Sequence, residues 1–439
     1  MIPFLKLRKI LPSLALLTLN GYALTLDEAV RTTLHNSTDL QKMQMGVDIS
    51  AHDLKQKKAM NYGRVDVMAS YTHYNLPRTL TPLTPASMAS GAAKIPTTKD
   101  MMIVGAAYNV SLFDGMATTR SIEISKLQKD VAKKMQKLTK EQLIYNVKTL
   151  YCNILSLMAK EEAQKSYIKA LEKLHEDILL RVKLGSAAQL DALKSEADVS
   201  RALSALQEIQ TNKEIVKDTL ASVMMVKSVN DLQKIDIDVI SLSDTQSYDE
   251  DILHTTRLKI AELDIEKKQK MKDKANAAYY PKINFNAYYG LNSGINDSTN
   301  PNSGDFKSED VWQAGVDLKW NVFDFGGKSA ALQKSKIAMM QSKLDKAKAK
   351  RDIQRSLTEA LAKVSLAVAK FHNAKTELAL MKETRKIEEL RYNSGASDIN
   401  DLLYTEARYQ LSKSAYIDAK YSYQNARNYL DYILEKGQK

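Results

Sequence analysis

A single cysteine, Cys152, is all the thiol chemistry available to this 439-residue chain, so no intramolecular disulfide framework is possible. Proline is scarce, with eight residues in all, and none falls in the four helix-like segments described below. The six histidines (His35, His52, His73, His175, His254 and His372) are scattered, and no pair has the helical spacing of zinc ligands. No glycine-rich phosphate loop precedes a helix, and no catalytic constellation stands out. Neither metal, cofactor nor enzymatic activity is therefore expected. Beyond the N-terminal segment there is no run of 18 apolar residues, which excludes a transmembrane helix.

What is present begins with an export signal. Lys6, Arg8 and Lys9 precede an apolar stretch from Ile10 to Leu19 and then Gly21-Tyr-Ala23, the three regions of a cleavable signal peptide spanning residues 1–23. No cysteine lies at the junction, so lipidation of the new N-terminus is not expected. Removing the three basic residues lowers the formal charge from +12 to +9. The remaining charge is spread along helix-like segments with acidic residues interleaved. That pattern suits solvated helix faces and argues against nucleic acid as a partner.

Four segments, 27–60, 117–226, 250–278 and 328–435, are rich in Lys, Glu, Gln, Ala and Leu and read as long helices. The second breaks near Gly185 and the fourth near Gly395. Val131, Leu138, Tyr145, Cys152 and Ala159 form one row spaced by sevens, and Leu143, Leu150 and Leu157 form another. Two seams on one helix suit a stave touching neighbours on both sides, as in an α-helical barrel, although an ordinary coiled coil remains open.

Between the helices, four segments carry the alternation of half-buried strands: about 64–75, 102–113, 282–292 and 311–323. The clearest are Ile283, Phe285, Ala287, Tyr289 and Leu291, and then Trp312, Ala314, Val316, Leu318, Trp320 and Val322. Each pair is joined by a long turn-forming loop, about 76–100 and 293–304. Segment 227–248 reads as a linker containing a short strand, with Ile235, Ile237 and Val239 alternating with Asp236 and Asp238.

The chain also repeats itself about 210 residues on. Gly105–Asp114 lines up without a gap on Gly315–Asp324, and Arg181–Gly185 followed by Asp191 lines up on Arg391–Gly395 followed by Asp401. The unit is therefore a half-molecule, 24–226 and then 249–439, far longer than a solenoid repeat. Four strands with aromatic ends and long loops look like part of an outer-membrane barrel, but too few to close one, since such barrels start at about eight strands. Open edges are not tolerated in lipid, so other copies would have to complete the wall, three copies giving about twelve strands. A small sandwich packed on helices is the soluble alternative.

The mature start Leu24-Thr-Leu-Asp-Glu-Ala-Val-Arg31, the elements Phe113-Asp114 and Phe323-Asp324, and the two glycine-centred breaks resemble the TolC family of outer-membrane efflux proteins, over essentially all of 24–439. The resemblance implies a mainly α, internally duplicated fold. It implies a homotrimer with a twelve-stranded β-barrel in the cell outer membrane, in contact with its lipid, and a long α-helical barrel in the periplasm. It implies an exit channel for multidrug efflux or type I secretion that works with a periplasmic adaptor and an inner-membrane transporter. A periplasmic coiled-coil adaptor or scaffold without a pore is the alternative.

Gly185 and Gly395 read as left-handed helix caps that turn the chain into hairpin tips. By resemblance these tips, with Ser186 and Ala396, are where the adaptor docks. Asp401 matches the first of two family aspartates that ring the entrance; it also suits the first turn of a helix on electrostatic grounds alone. The second family aspartate is Tyr404 here. Asp191 and Tyr392 match a family pair that latches the entrance, while the arginine completing that latch aligns with Ser397.

Overall fold

The computed structural model describes residues 23–91, 94–229, 231–240, 248–298 and 303–437. The expected signal peptide therefore lies, but for Ala23, outside the described residues. In chain order the elements are α1 (Leu26–Asn36), α2 (Thr38–Ala59), β1 (Arg64–Thr79), α3 (Pro85–Ala89), β2 (Thr97–Phe113), α4 (Ala117–Lys183), α5 (Gln189–Met224), α6 (Asp249–Leu253), α7 (Thr256–Asn276), β3 (Lys282–Ile295), β4 (Phe306–Lys319), α8 (Gly327–Asn393) and α9 (Ile399–Ile433). The chain divides into two compact units, one of residues 1–40, 139–248 and 354–439, the other of 41–138 and 249–353.

The second unit holds a four-stranded antiparallel sheet in the order β1-β2-β3-β4. Its register puts Val67 opposite Ala106, Ala106 opposite Tyr289, and Tyr289 opposite Trp312. One face is therefore apolar across all four strands, and Val67, Trp312, Val316 and Leu318 on it are exposed. The other face carries Asp66, Ser70, Asn284, Asn286 and Asp317, where Asn284 donates to Asp317 at 3.1 Å and Asn286 donates to the same carboxylate. Gly105 lies opposite Gly290, and Tyr288 fills the space above both, so that a Cβ on either would meet its hydroxyl.

Several expected strand boundaries shift. β1 runs on to Thr79, accommodating Pro77 where its register with β2 slips between His73 and Arg78, as an edge strand can. β2 and β3 also extend into the expected loops, which are tied together: Asn292 donates to the Leu80 carbonyl at 2.8 Å, and Asp297 N–H donates to the Thr97 carbonyl at 2.8 Å. β4, in contrast, stops at Lys319, four residues short of the expected end. The two Phe-Asp elements turn strand into helix. Asp114 accepts from the Thr118 N–H and Asp324 from the Lys328 N–H, each at 2.8 Å, capping the starts of α4 and α8.

In the first unit, α1 opens with a capping box. Thr25 Oγ1 accepts from the Glu28 N–H at 3.2 Å and Glu28 accepts from the Thr25 N–H at 3.0 Å, satisfying two donors that a helix start leaves unpaired. Leu24, Ala29, Val147, Tyr151, Ile154, Leu220 and Met224 form one core. At its centre the Tyr151 hydroxyl shares its proton between the carbonyls of Leu24 (2.7 Å) and Gln233 (2.8 Å). The two seams of α4 face different neighbours here. Tyr145 stacks on Tyr432 with ring centroids 5.0 Å apart and Cys152 accepts from Asn428, both on α9, whereas Leu150 packs into the core made with α1 and α5. Here α4 has packing partners on two sides.

The short strand expected near 235–239 is not formed. Among the described residues of the linker there is an isolated bridge, Leu24 to Leu232, and the chain is fastened by side chains instead. Ile237 is buried, and the Tyr423 hydroxyl lies 3.1 Å from both the N–H and the carbonyl of Ile240. Residues 230 and 241–247 lie outside the described residues.

Candidate functional site

The two hairpin turns belong to the first unit and are built alike. Gly185 has φ +71° and Gly395 φ +77°, a left-handed conformation that costs glycine nothing. At the first, Gly185 N–H donates to Val182 and Ser186 N–H to Arg181; at the second, Gly395 N–H donates to Tyr392 and Ala396 N–H to Arg391. All four bonds are 2.8–3.1 Å long. This Schellman arrangement closes the carbonyls that α4 and α8 would otherwise leave unpaired. Leu184 and Leu390, beside these turns, are exposed.

Just behind the turns, side chains of all four helices meet. Ile168, Leu171 and Ile178 of α4, Ala192 of α5, Tyr392 of α8 and Leu402 of α9 share one core cluster. Tyr392 is 7 % exposed, and the Arg181 guanidinium lies over its ring, 4.6 Å from the centroid. Arg181 is aimed by Asp177, which accepts from its Nε at 2.9 Å. Burial raises the Tyr392 phenol above its usual pKa, Arg181 opposes that shift, and Asp177 and Asp191 add to it. Asp191 thus feels Tyr392 through charge, and no hydrogen bond joins the two.

Asp401 is exposed in the first turn of α9. Its N–H is held by the N-cap residue Asp398, which accepts at 3.0 Å, and that bond holds the Asp398 carboxyl below its usual range. Ser397, in the place of the expected arginine, donates to the buried Glu388 and lies 3.4 Å from the Asp401 carboxylate. Arg391 also donates to Glu388, at 3.0 Å. Tyr404, which aligns with the second family aspartate, is exposed beneath Arg408, 5.8 Å from its ring centroid.

Sequence reasoning missed three contacts. Arg181 was visible as the start of a repeated Arg-x-x-x-Gly element, but nothing in the spacing said that it stacks across helices. Lys194 of α5 donates to Asn400 of α9 at 3.2 Å, a second tie between the hairpins. His175 donates from Nδ1 to Ser195 at 2.7 Å, because the serine's own proton goes to the Ala192 carbonyl at 2.9 Å. This fastens α4 to α5.

The profile of the outer membrane efflux protein family matches residues 29–224 and again 249–434, one match for each half. No curated relative matches the sequence. Among solved structures, the CusC channel superposes with a TM-score of 0.79 at 16 % identity, over 93 % of this chain and 91 % of that one. VceC of Vibrio cholerae gives 0.77 at 14 %, covering 93 % and 95 %. The CmeC outer membrane channel of Campylobacter jejuni gives 0.75 at 15 %, covering 94 % and 86 %.

Proposed function

Because the chain belongs to the outer membrane efflux protein family, a family of outer-membrane transport channels, we propose that it forms the exit duct of a tripartite efflux or type I secretion system. In this reading residues 1–23 direct export. Three copies close their strands into one barrel in the outer membrane, with its lipid against the apolar face. The long helices form a helical barrel in the periplasm, and the hairpin tips around Gly185–Ser186 and Gly395–Ala396 receive a periplasmic adaptor joined to an inner-membrane transporter.

One observation supports the barrel above others: a four-stranded sheet with an apolar face exposed in the isolated chain and a strand edge open on each side. A soluble domain would cover such a face, whereas lipid solvates it, and lipid in turn demands that the edges be closed. Asp401 is the proposed selectivity residue. Three carboxylates around an axis favour cations, and with Tyr404 at the second position the preference should be weaker than two rings would give. Asp191 and Tyr392 are the proposed entrance latch, with the ring of Tyr392 as its core.

Planar-bilayer recording tests the reading as a whole. The processed protein should form discrete channels, and Asp401→Asn should lower the cation-to-anion permeability ratio without abolishing conductance. A processed protein that stays in the soluble fraction and never conducts would overturn the duct.

A further inference from the structure

Lysine is spread along every long helix in sequence, but the fold sorts it. Three helical stretches of the second unit, 117–138 of α4, the whole of α7, and 327–353 of α8, carry 21 Lys and Arg against eight Asp and Glu. That excess of 13 is larger than the +9 of the whole mature chain, so the remainder is net acidic. Eighteen of the 21 cations are lysine.

α4 and α8 each expose two faces here, and the hand of the sheet decides which is the outer one. A Cβ on Gly290 or Gly294 of β3 would meet the carbonyl of Val104 or Asp100, and one on Gly63 would meet that of Asn109. Even-numbered carbonyls of β2 therefore point to β3 and odd-numbered ones to β1, while its even-numbered side chains share the apolar face. For L-residues this fixes the order: seen from the apolar face with the β1–β2 loop uppermost, β1 to β4 run from right to left. The helices that continue the strands keep that order. Gln136 of α4 donates to Gln44 of α2 at 2.8 Å, Lys270 of α7 reaches Glu123 of α4 at 3.1 Å, and Lys346 of α8 reaches Glu262 of α7 at 3.0 Å.

Both α4 and α8 descend from the sheet as right-handed helices turning about 100° per residue. With Gln136 turned to α2, Lys126, Lys133 and Lys137 fall on the side of the apolar sheet face, and all three are exposed. Gln128 and Met135 are exposed on the opposite side. With Lys346 turned to α7, Lys336, Lys343 and Lys350 fall on the apolar-face side as well, again exposed. Lys334 and Lys348 lie on the other side, where Asp345 and Asp352 offset them.

We propose that this outward band of lysines binds a carboxylate-bearing polymer of the periplasm, the peptide stems of peptidoglycan. The proposal rests on the barrel reading, in which the apolar face marks the outside. Lys126 and Lys336 each stand nine residues from the start of their helix, and Lys137 and Lys350 stand 20 and 23 residues from it. At ~1.5 Å per residue the band runs from roughly 14 to 35 Å below the helix starts. Lipid headgroups beside the sheet are then farther away than a Debye length of about 8–10 Å, so their charge is screened from it. One exposed lysine adds little by itself, and three copies would close the band into a ring. Such a ring suits a ligand whose carboxylates also repeat. Lysine, a point charge on a flexible stem, tolerates the varied geometry of a polymer, whereas a single folded partner is better gripped by the fixed fork of arginine.

Isolated sacculi and the processed protein in detergent test this. The unsubstituted protein should sediment with sacculi at low salt and be released at high salt. The quadruple variant Lys126→Gln, Lys133→Gln, Lys336→Gln and Lys343→Gln should sediment severalfold less, while Lys334→Gln with Lys348→Gln sediments like the unsubstituted protein. Sacculi whose carboxyl groups have been amidated should lose the unsubstituted protein, a result that needs no variant to fold. Equal loss in the two variants, or undiminished binding to amidated sacculi, overturns the proposal. So does a quadruple variant that still sediments with sacculi but loses salt-sensitive binding to phosphatidylglycerol vesicles, which would make headgroups the ligand. Trimeric unsubstituted protein that never sediments overturns this proposal alone. Monomeric mass in detergent overturns the barrel reading beneath it.

Discussion

The Arg181 guanidinium lies 4.6 Å from the centre of the Tyr392 ring, joining the end of α4 to the end of α8. A partly desolvated cation–π contact of this kind is worth about 0.5–2 kcal/mol, or roughly a two- to thirtyfold bias between joined and parted hairpins. The phenol hydroxyl contributes little to it, so Tyr392→Phe should leave the resting single-channel conductance unchanged. Tyr392→Ala and Arg181→Ala should both raise it or lengthen openings, and Asp191→Asn, which acts on the ring through charge alone, should do less. Conductance that rises with Tyr392→Phe as much as with Tyr392→Ala would mean that the hydroxyl, not the stacked face, is the latch.

Glu161 anchors α4 to α5 away from the tips. Burial pushes its pKa up, but hydrogen bonds from Lys165, Lys213 (2.7 Å) and Gln210 prevail and bring it down to about 2. Its folded value lies below the ordinary 4.5, so its contribution is present above pH 4.5 and is lost as pH falls towards 2. Glu161→Gln should destabilise the helices by about 1–3 kcal/mol at neutral pH, since Lys213, 16 % exposed, keeps only Glu214 at 3.5 Å as an anionic partner. Proteolytic susceptibility in urea at pH 7 measures the loss, and the difference from the unsubstituted protein should shrink with acid.

How much of this was legible in sequence depends on what specifies each feature. Alternation such as Ile283, Phe285, Ala287 is local, so the strands and their faces can be read directly, and so can Gly185 and Gly395, where one residue type solves one backbone problem. The end of β4 is not local. Trp320 and Val322 carry the strand pattern, yet in a single chain they have no strand to pair with, so pattern and structure part at Lys319. The linker fails for the opposite reason: Ile235, Ile237 and Val239 alternate because one side packs on helices, and no ladder is involved. At the tips, positions were recoverable from the duplication and contacts were not. Arg181 and Tyr392 sit more than two hundred residues apart, and nothing in their spacing says that they touch.

Cys152 lies on the α4 seam facing α9, fully buried, with Asn428 donating to its sulfur. Burial raises its thiol pKa to about 11. At pH 8 roughly one thiol in a thousand would be ionised even if a reagent could reach it, and the thiolate is the reactive form. The folded protein should therefore resist maleimide at pH 8 and react within minutes once unfolded. Rapid labelling of the native form would show that α4 and α9 separate readily along this seam.

Glu406 of α9 presents the opposite charge problem. It is largely buried on α9, and its nearest cation, Arg385 of α8, is 3.8 Å away and spends its planar face on Tyr409, 4.8 Å from the ring centroid. Burial raises the carboxyl pKa, the pull of Arg385 opposes this only in part, and Glu389 adds to the rise. A folded pKa above the ordinary 4.5 means that the folded form holds the proton more tightly. Its packing is then most favourable at low pH, loses stability as pH rises above 4.5, and bears the cost at neutrality. Glutamine mimics the protonated acid, and the pull of Arg385 is already counted in that balance. Glu406→Gln should therefore stabilise the joined hairpins at pH 7, with the gain fading as pH approaches 4.5. In planar bilayers the same substitution should lower open probability at pH 7 and flatten its dependence on pH. A variant less stable than the unsubstituted protein at pH 7 would mean that Arg385 compensates the buried charge in full and that Glu406 is a structural ion-pair partner.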